Sequence, residues 1–349
     1  MKIGTKVLGA GRTYIISEFG VNHNGSLERA KEAIVKAAQA GADAIKFQTY
    51  KADDLVVKGT PKFWKSEGGD IEGNQYDAYK ALGGEPLEWY PELIACCEEN
   101  GIEFLSTAFS FEAADYLNSI GMKAFKIASS DMSTIPFLKH IARYQKPIIL
   151  STGAADMSEI KEAVAAIEGE GNDQIILLQC TLCYPTKEED ANFAVLNTFK
   201  KKFPFYTIGL SDHTLGAFSA LVGIAMGAQV IEKHYTVDKT LGDSADHWLS
   251  VDPTELKEIV DGARRIEALR GSSEKQVINA EKETRMYDKR SIVSKVDLLP
   301  NVPITLDMLT FKRPGTGIHP RKFEMLNGKI PKELVKADTT LDWNHFYLK

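Results

Sequence analysis

Cysteine is scarce in this chain of 349 residues: there are four, Cys96, Cys97, Cys180 and Cys183. Nothing suggests export, so these thiols are expected to stay reduced in the cytoplasm. Cys180 and Cys183 form a C-x-x-C, but a structural zinc site needs two more ligands, and Cys96-Cys97 lacks the usual spacing. They read as incidental small residues, with a redox pair as the alternative. Long apolar runs are also missing. The longest nearly apolar stretch, 218–231, carries Ser, Gly and Gln and is too short to span a bilayer. The first residues, MKIGTKVLGAGRTY, have no apolar signal core. Positive charge is not in excess either. Lys and Arg number 42 against 48 Asp and Glu, a net charge of −6, and no Lys/Arg cluster stands out. That balance argues against a nucleic-acid partner. The expectation is a cytoplasmic protein with no membrane span and no nucleic acid bound.

What is present is a rhythm. Short β-prone runs recur about every 25–40 residues, each followed by a helix-like segment. They are TYIISEFG with Glu18, AIKFQTY with Lys46 and Gln48, FLSTAFS with Thr107, and AFKIASSD with Lys126 and Ser129. PIILSTG with Ser151, IILLQCTLCYP with Tyr184, TIGLSDH with Ser211 and His213, and VIEKHYT with Glu232 and His234 follow. An eight-fold βα alternation predicts α/β architecture, a closed (β/α)8 TIM barrel with its active site at the carboxyl ends of the strands. Those ends are where the polar residues fall. The length accommodates such a barrel of ~250 residues and a small second domain.

The amphipathic segments agree. Leu27, Ala30, Ile34, Ala37 and Ala38 share one side of a helix that Ser26 can cap and Gly41 can close. Segments 91–100, 111–120, 135–142, 158–167, 194–201, 218–226 and 254–269 complete eight predicted helices. The insertion 51–85 after the second strand holds Trp64, Asn74, Tyr76 and Tyr79. Its length predicts a partly structured loop over the barrel mouth. Residues 271–289 are charged and lack strand character, which predicts a linker. From 290 to 349 the βα rhythm gives way to short β-like pieces, turns and prolines, a second domain of ~60 residues, small enough to be marginal alone. The expected division is a barrel over 1–270, a linker over 271–289 and a small domain over 290–349.

His213 and His234 are the sharpest pair. They sit just past adjacent strands, facing one mouth, and two neutral imidazoles with an open position suit a catalytic divalent metal. Asp212, Glu232 and Asp246 are available as supporting or substrate groups. The plainer reading of either histidine alone is a hydrogen-bonded interior residue. Lysine is rarely buried without an anionic partner, so Lys46 and Lys126 at strand ends predict a phosphate or carboxylate site. Thr107, Ser129, Ser151 and Ser211 add hydroxyl donors around it. An ordinary salt bridge is the alternative for each lysine. Glu18, beside Asn22, His23 and Asn24, suits acid/base work or sugar hydroxyls, or an ion pair with a lysine. Tyr184 suits stacking, a hydroxyl contact or plain packing.

In order, SEFGVNHNGS, AIKFQTY, KIASSDM, LSTG, CTLCYPT, GLSDHT and IEKHYT, followed by KRPGTGIHP, resemble the sialic acid synthase family over nearly the whole chain. That resemblance implies a (β/α)8 barrel followed by an antifreeze-like SAF domain, in a domain-swapped homodimer. It implies condensation of phosphoenolpyruvate with an aminohexose, the expected product being N-acetylneuraminate, with legionaminate or pseudaminate as alternatives. By position, His213 and His234 would bind Mn²⁺, or Mg²⁺ or Co²⁺. Lys46, Thr107, Lys126, Ser129, Ser151 and Ser211 would hold phosphoenolpyruvate. Glu18, Gln48, Asn74, Tyr184 and Asp246 would sit by the sugar, and Arg313 would reach in from the other subunit. Three departures stand out: Leu182 where a small polar residue is common, Asp131 where Glu is common, and LGDSADH in place of a Pro-Gly-Pro-Asp-His form. Keeping Asp246-His247 leans toward a neuraminate or legionaminate type of product. Two other readings remain at this stage: a Schiff-base aldolase using Lys126 or Lys46, and a carbohydrate- or ice-binding protein.

Overall fold

The computed structural model describes every residue except 10, 63, 65–72, 85, 242–245 and 348–349. The chain forms two compact units, Met1–Gly271 and Ser272–Lys349. In the first, eight parallel strands close into a barrel. They are β1 (Tyr14–Gly20), β2 (Ala44–Thr49), β3 (Glu103–Ala108), β4 (Phe125–Ile127), β5 (Ile148–Ser151), β6 (Ile175–Cys180), β7 (Thr207–Asp212) and β8 (Val230–His234). Neighbours pair in sequence order and β8 returns to β1, with His234 opposite Glu18. This is the predicted TIM barrel.

Each strand is followed by its helix: α1 (Leu27–Ala40), α2 (Tyr90–Glu99), α3 (Phe111–Ser119), α4 (Ile135–Ala142), α5 (Met157–Glu168), α6 (Val195–Lys202), α7 (Phe218–Ala225) and α8 (Pro253–Arg270). Local chemistry sets the ends. The Ser26 hydroxyl accepts from the Arg29 N–H, and Gly41 ends α1 at φ 90°, a conformation that favours glycine. Asp156 and Asp252 head α5 and α8 as capping boxes, each with a Glu three residues on.

The strands are buried on both faces, and alternation along each chooses the core. Ile15, Ile45, Leu150, Leu210 and Ile231 pack outward against the helices. Ile16, Ala44, Leu105, Ile149, Leu178 and Val230 fill the barrel interior. A two-stranded hairpin, Lys2–Ile3 with Lys6–Val7, precedes the barrel, and Ile3 and Leu8 join that interior cluster. Sequence periodicity does not reveal this plug, because two-residue strands are too short to show alternation.

The insertion after β2 is more ordered than a loop: it contains helices Ala52–Leu55 and Gln75–Leu82. In the second unit, Ser291–Ser294 pairs antiparallel with Leu309–Lys312 over a core of Ile292, Leu298, Ile304, Leu309, Ile318, Leu326, Val335, Leu341 and Phe346. Part of the segment read as a linker is helical. Asn279–Glu281 and Lys282–Asp288 are helical, and the Glu281 carboxylate accepts from the Ile278 N–H at the start of that turn. Its Lys, Glu and Arg residues are good helix formers, so charge there marks an exposed helix as well as a connector. No helix among the described residues is long and apolar enough to cross a membrane.

Candidate active site

A cavity of about 310 Å³ opens within the barrel unit. Glu18, Lys46, Gln48, Thr107, Lys126, Ser129, Ser151, Tyr184, Ser211, His213, His234 and Asp246 all line it. Each comes from a strand end or from the loop just after one, which is why residues more than 200 positions apart meet.

The floor is charged. Lys46 Nζ donates to Thr107 Oγ1 at 2.8 Å and pairs closely with the Glu18 carboxylate. Glu232 stands between the two lysines, its carboxylate oxygens 3.8 Å from Lys46 Nζ and 3.8 Å from Lys126 Nζ. Ser211 Oγ donates to Glu232 Oε1 at 2.9 Å. Burial alone would push the Glu232 carboxyl up, but the ammonium groups of Lys126 and Lys46 and the Ser211 hydroxyl hold it at about 2. Burial pulls Lys126 down, and Glu232 opposes that pull. Each lysine thus has the carboxylate partner of the plainer reading while also facing the cavity. Ser151 Oγ is buried with no hydrogen-bond partner among the described residues. A buried orphan hydroxyl costs free energy, and a ligand oxygen would satisfy it.

Beside the floor stand the imidazoles. Their ring centroids are 5.2 Å apart, and the Tyr184 ring lies 4.2 Å from His213 and 5.5 Å from His234. His213 Nδ1 faces the Thr181 carbonyl at 2.9 Å, and His234 Nδ1 faces Asp246 Oδ2 at 3.3 Å. Burial disfavours the His234 cation, but Asp246 outweighs it and shifts the ring up. With Nδ1–H donated to an oxygen on each ring, Nε2 carries the lone pair in the neutral imidazole, the arrangement of metal-binding histidines. The residues therefore fit a divalent ion. No group of three His, Cys, Asp or Glu among the described residues forms a protein cage, so an ion here would keep positions for other ligands, as a catalytic site requires.

Over the mouth the character changes. Tyr50, Leu55, Trp64, Tyr79, Leu82 and Phe109 form a largely apolar collar, with Gln75 among them. Tyr79 packs edge-on against Tyr50, 5.7 Å between centroids, and tilted against Trp64 at 5.4 Å.

A model of the NeuB family matches residues 33–275, and one of the SAF domain matches 289–346. The chain belongs to the NeuB family. It is 39% identical over 348 residues to N,N'-diacetyllegionaminic acid synthase of Legionella pneumophila, covering 98% of this chain and 97% of that one. Pseudaminic acid synthase of Campylobacter jejuni is 32% identical over 336 residues, covering 96% and 97%. Among solved structures, N-acetylneuraminic acid synthetase of Leptospira borgpetersenii in complex with citrate superposes with a TM-score of 0.74 at 33% identity, covering 81% of this chain and 94% of that one.

One residue carried over from the family resemblance, Asn74, is not among those lining this cavity. Asn74 instead caps the helix Gln75–Leu82: its side-chain oxygen accepts from the Asp77 N–H at 2.9 Å, and its amide donates to Asp77 Oδ2. An N-cap Asn directs its side chain at its own backbone, and the neighbouring Gln75 faces the cavity. Arg313 belongs to the SAF unit, where Nη1 lies 2.8 Å from Asp288 Oδ1 and the side chain is exposed. The longer LGDSADH stretch lies mostly outside the described residues.

Other residues gain a role. Glu232, considered as a supporting or substrate group, is the carboxylate between the two lysines of the floor. Cys180, taken as incidental, lines the wall, with Ser129 Oγ 3.6 Å from its sulfur; Cys183 is exposed. Gly153 donates its N–H to Ser129 Oγ at 2.9 Å, and a Cβ there would meet that oxygen at 2.8 Å and Leu182 Cβ at 3.0 Å. The glycine of LSTG is thus needed for close approach. Leu182 lies at the cavity too, so its departure from the family pattern falls where a ligand would sit.

Proposed function

We propose that this protein is a cytoplasmic synthase that condenses phosphoenolpyruvate with an N-acylated aminohexose, giving a nine-carbon sialic-acid-like sugar and phosphate. The observation carrying this reading is the convergence of Lys46, Lys126 and the orphan Ser151 hydroxyl on a floor beside two imidazoles oriented for a metal. The relatives named as synthases of legionaminic, pseudaminic and neuraminic acids support it. In this reading the lysines, Thr107 and the serine hydroxyls hold the phosphate and carboxylate of phosphoenolpyruvate, by positioning and electrostatics. Glu18, held by Gln48 Nε2 at 2.8 Å, would move a proton at the acceptor. The methylene carbon of phosphoenolpyruvate bonds to the aldehyde carbon, water adds at C2, and phosphate leaves with cleavage of the C2–O bond. A divalent ion held by His213 and His234, Mn²⁺ foremost, would supply Lewis-acid polarisation of the aldehyde oxygen.

For the acceptor, the collar favours a sugar with extra methyl groups. Leu55, Trp64, Tyr79 and Leu82 offer apolar surface that an acetamido methyl can cover and a free hydroxyl cannot. A doubly N-acetylated hexose, as in the name of the Legionella relative, therefore suits it better than N-acetylmannosamine.

The test is phosphate release from phosphoenolpyruvate with Mn²⁺ and a panel of N-acylated hexoses. The expected result is release only when both substrates are present, faster with two N-acetyl groups than with one, abolished by a chelator and restored by Mn²⁺. Full activity after exhaustive chelation would remove the metal role. Covalent labelling on borohydride treatment with pyruvate, with no phosphate released for any sugar, would replace the synthase with a Schiff-base aldolase.

A further inference from the structure

The strands that carry the two imidazoles also carry a charge pair on their opposite face. β7 and β8 run side by side with Ser211 opposite Glu232 and Asp212 opposite Lys233. Ser211 and Glu232 face the cavity. One residue on, strand alternation turns Asp212 and Lys233 to the barrel exterior, where Leu210 and Ile231 on the same face join the strand–helix core. One residue further, His213 and His234 turn back inward. The charge pair is thus the step immediately before the imidazole pair.

Both charged groups are fully enclosed and fully bonded. Lys233 Nζ donates to Asp212 Oδ2 at 2.8 Å and to the Thr214 carbonyl at 2.5 Å, with Thr214 Oγ1 at 3.4 Å. Asp212 Oδ2 also accepts from Ser219 Oγ on α7 at 2.8 Å, and Asp212 Oδ1 accepts from the Thr214 N–H at 3.0 Å. Side-chain exposure is 1% for both partners. Leucine-like residues would fill this position as Leu210 and Ile231 do two residues earlier, and a buried ion pair commonly adds no stability over an apolar pair of the same volume. What an apolar pair cannot do is grip the backbone. Here Asp212 takes the N–H of Thr214 and Lys233 takes its carbonyl, so the chain is held on both sides of Thr214, the residue that follows His213. Lys233 itself is bonded through the chain to His234.

We propose that Lys233 and Asp212 are positioning residues, their ion pair setting the separation of the His213 and His234 imidazoles from behind the barrel wall. The inference rests on the reading of those imidazoles as a divalent-metal site, where ligand placement decides affinity.

The experiment compares the full-length wild type with Asp212→Leu/Lys233→Met, which replaces the pair by apolar side chains, and with Ser219→Ala, which removes one bond to Asp212. Unfolding midpoints, calorimetric titration with MnCl2 alone, kcat, and KM for phosphoenolpyruvate are measured on each. The double variant is expected to melt within a few degrees of wild type and keep its KM within twofold. Mn²⁺ affinity and kcat should each fall at least tenfold. Ser219→Ala should weaken Mn²⁺ about threefold with KM unchanged. Wild-type Mn²⁺ affinity in a folded double variant would make the pair merely structural and overturn the proposal. Should the double variant not fold, unchanged affinity in Ser219→Ala does the same. If wild type itself binds no Mn²⁺, the metal reading fails separately. The clamp is then decided by kcat: a value within twofold of wild type overturns it, and a tenfold loss at constant stability upholds it.

Discussion

Buried lysines dominate the chemistry at the scale of single residues. Lys46 and Lys126 are each nearly inaccessible, and each is balanced by Glu18 or Glu232. Two ammonium groups against two carboxylates leave little net charge on the floor, so an incoming anion relies on direct hydrogen bonds more than on long-range attraction. Replacing either lysine by Met should lower kcat/KM for phosphoenolpyruvate ~30- to 1,000-fold, the effect of losing ~2–4 kcal/mol from a charged contact. Steady-state kinetics on folded variants check this, and a change within twofold in both would remove the anion role. These residues were legible in the sequence because lysine at a strand end is costly without a purpose. Gly153 and Cys180 were not: their part depends on which side chains come within 3–4 Å across three strands, and no spacing along the chain encodes that distance.

Elements explain what the residues alone do not. Strand–helix alternation and caps such as Ser26 and Gly41 made the eight barrel units readable, because each unit's hydrophobic period is local. The helix Gln75–Leu82 escaped notice, since its eight residues sit in a long insertion with weak amphipathicity. Yet it carries Gln75, Tyr79 and Leu82 to the collar, and Asn74 holds its first turn. The same Asn74, assigned to the sugar by resemblance, is therefore expected to influence it only through a helix end. Asn74→Ala should cost the helix about 1 kcal/mol. The expected kinetic signature is a several-fold rise in KM for the aminohexose with KM for phosphoenolpyruvate unchanged. Equal rises in both would point to a general loosening of the barrel.

At the scale of the whole molecule, the two units raise the matter of a shared site. Sequence texture alone revealed the change of architecture near residue 290, but charge without strand pattern does not separate a linker from a short helix. With Lys282–Asp288 helical, and with Asp288 and Met286 bonded to Arg313 and Gly315, the connection without helix is 271–278. Extended, those eight residues cover ~26 Å at ~3.3 Å each, a reach consistent with a small domain serving a neighbouring chain. We expect a homodimer in which Arg313 of one subunit completes the barrel site of the other. Mixing an Arg313→Ala chain with a Glu18→Gln chain under conditions of subunit exchange should return activity, because half of the sites in a mixed dimer are intact. Demonstrated exchange without recovered turnover would contradict the shared site.

The hairpin plug has a kinetic corollary. Because Ile3 and Leu8 join Ile16, Leu105 and Ile149 in the apolar cluster that fills the barrel interior, a ligand of the strand-borne floor is expected to enter past the collar. A sugar seated against Trp64 and Tyr79 then stands in the doorway of the phosphate donor. Substrates should add in compulsory order, phosphoenolpyruvate first, and a non-reactive sugar analogue should inhibit uncompetitively against phosphoenolpyruvate. Competitive inhibition of phosphoenolpyruvate by that analogue would mean that the sugar reaches the free enzyme, and that the doorway stays open behind it.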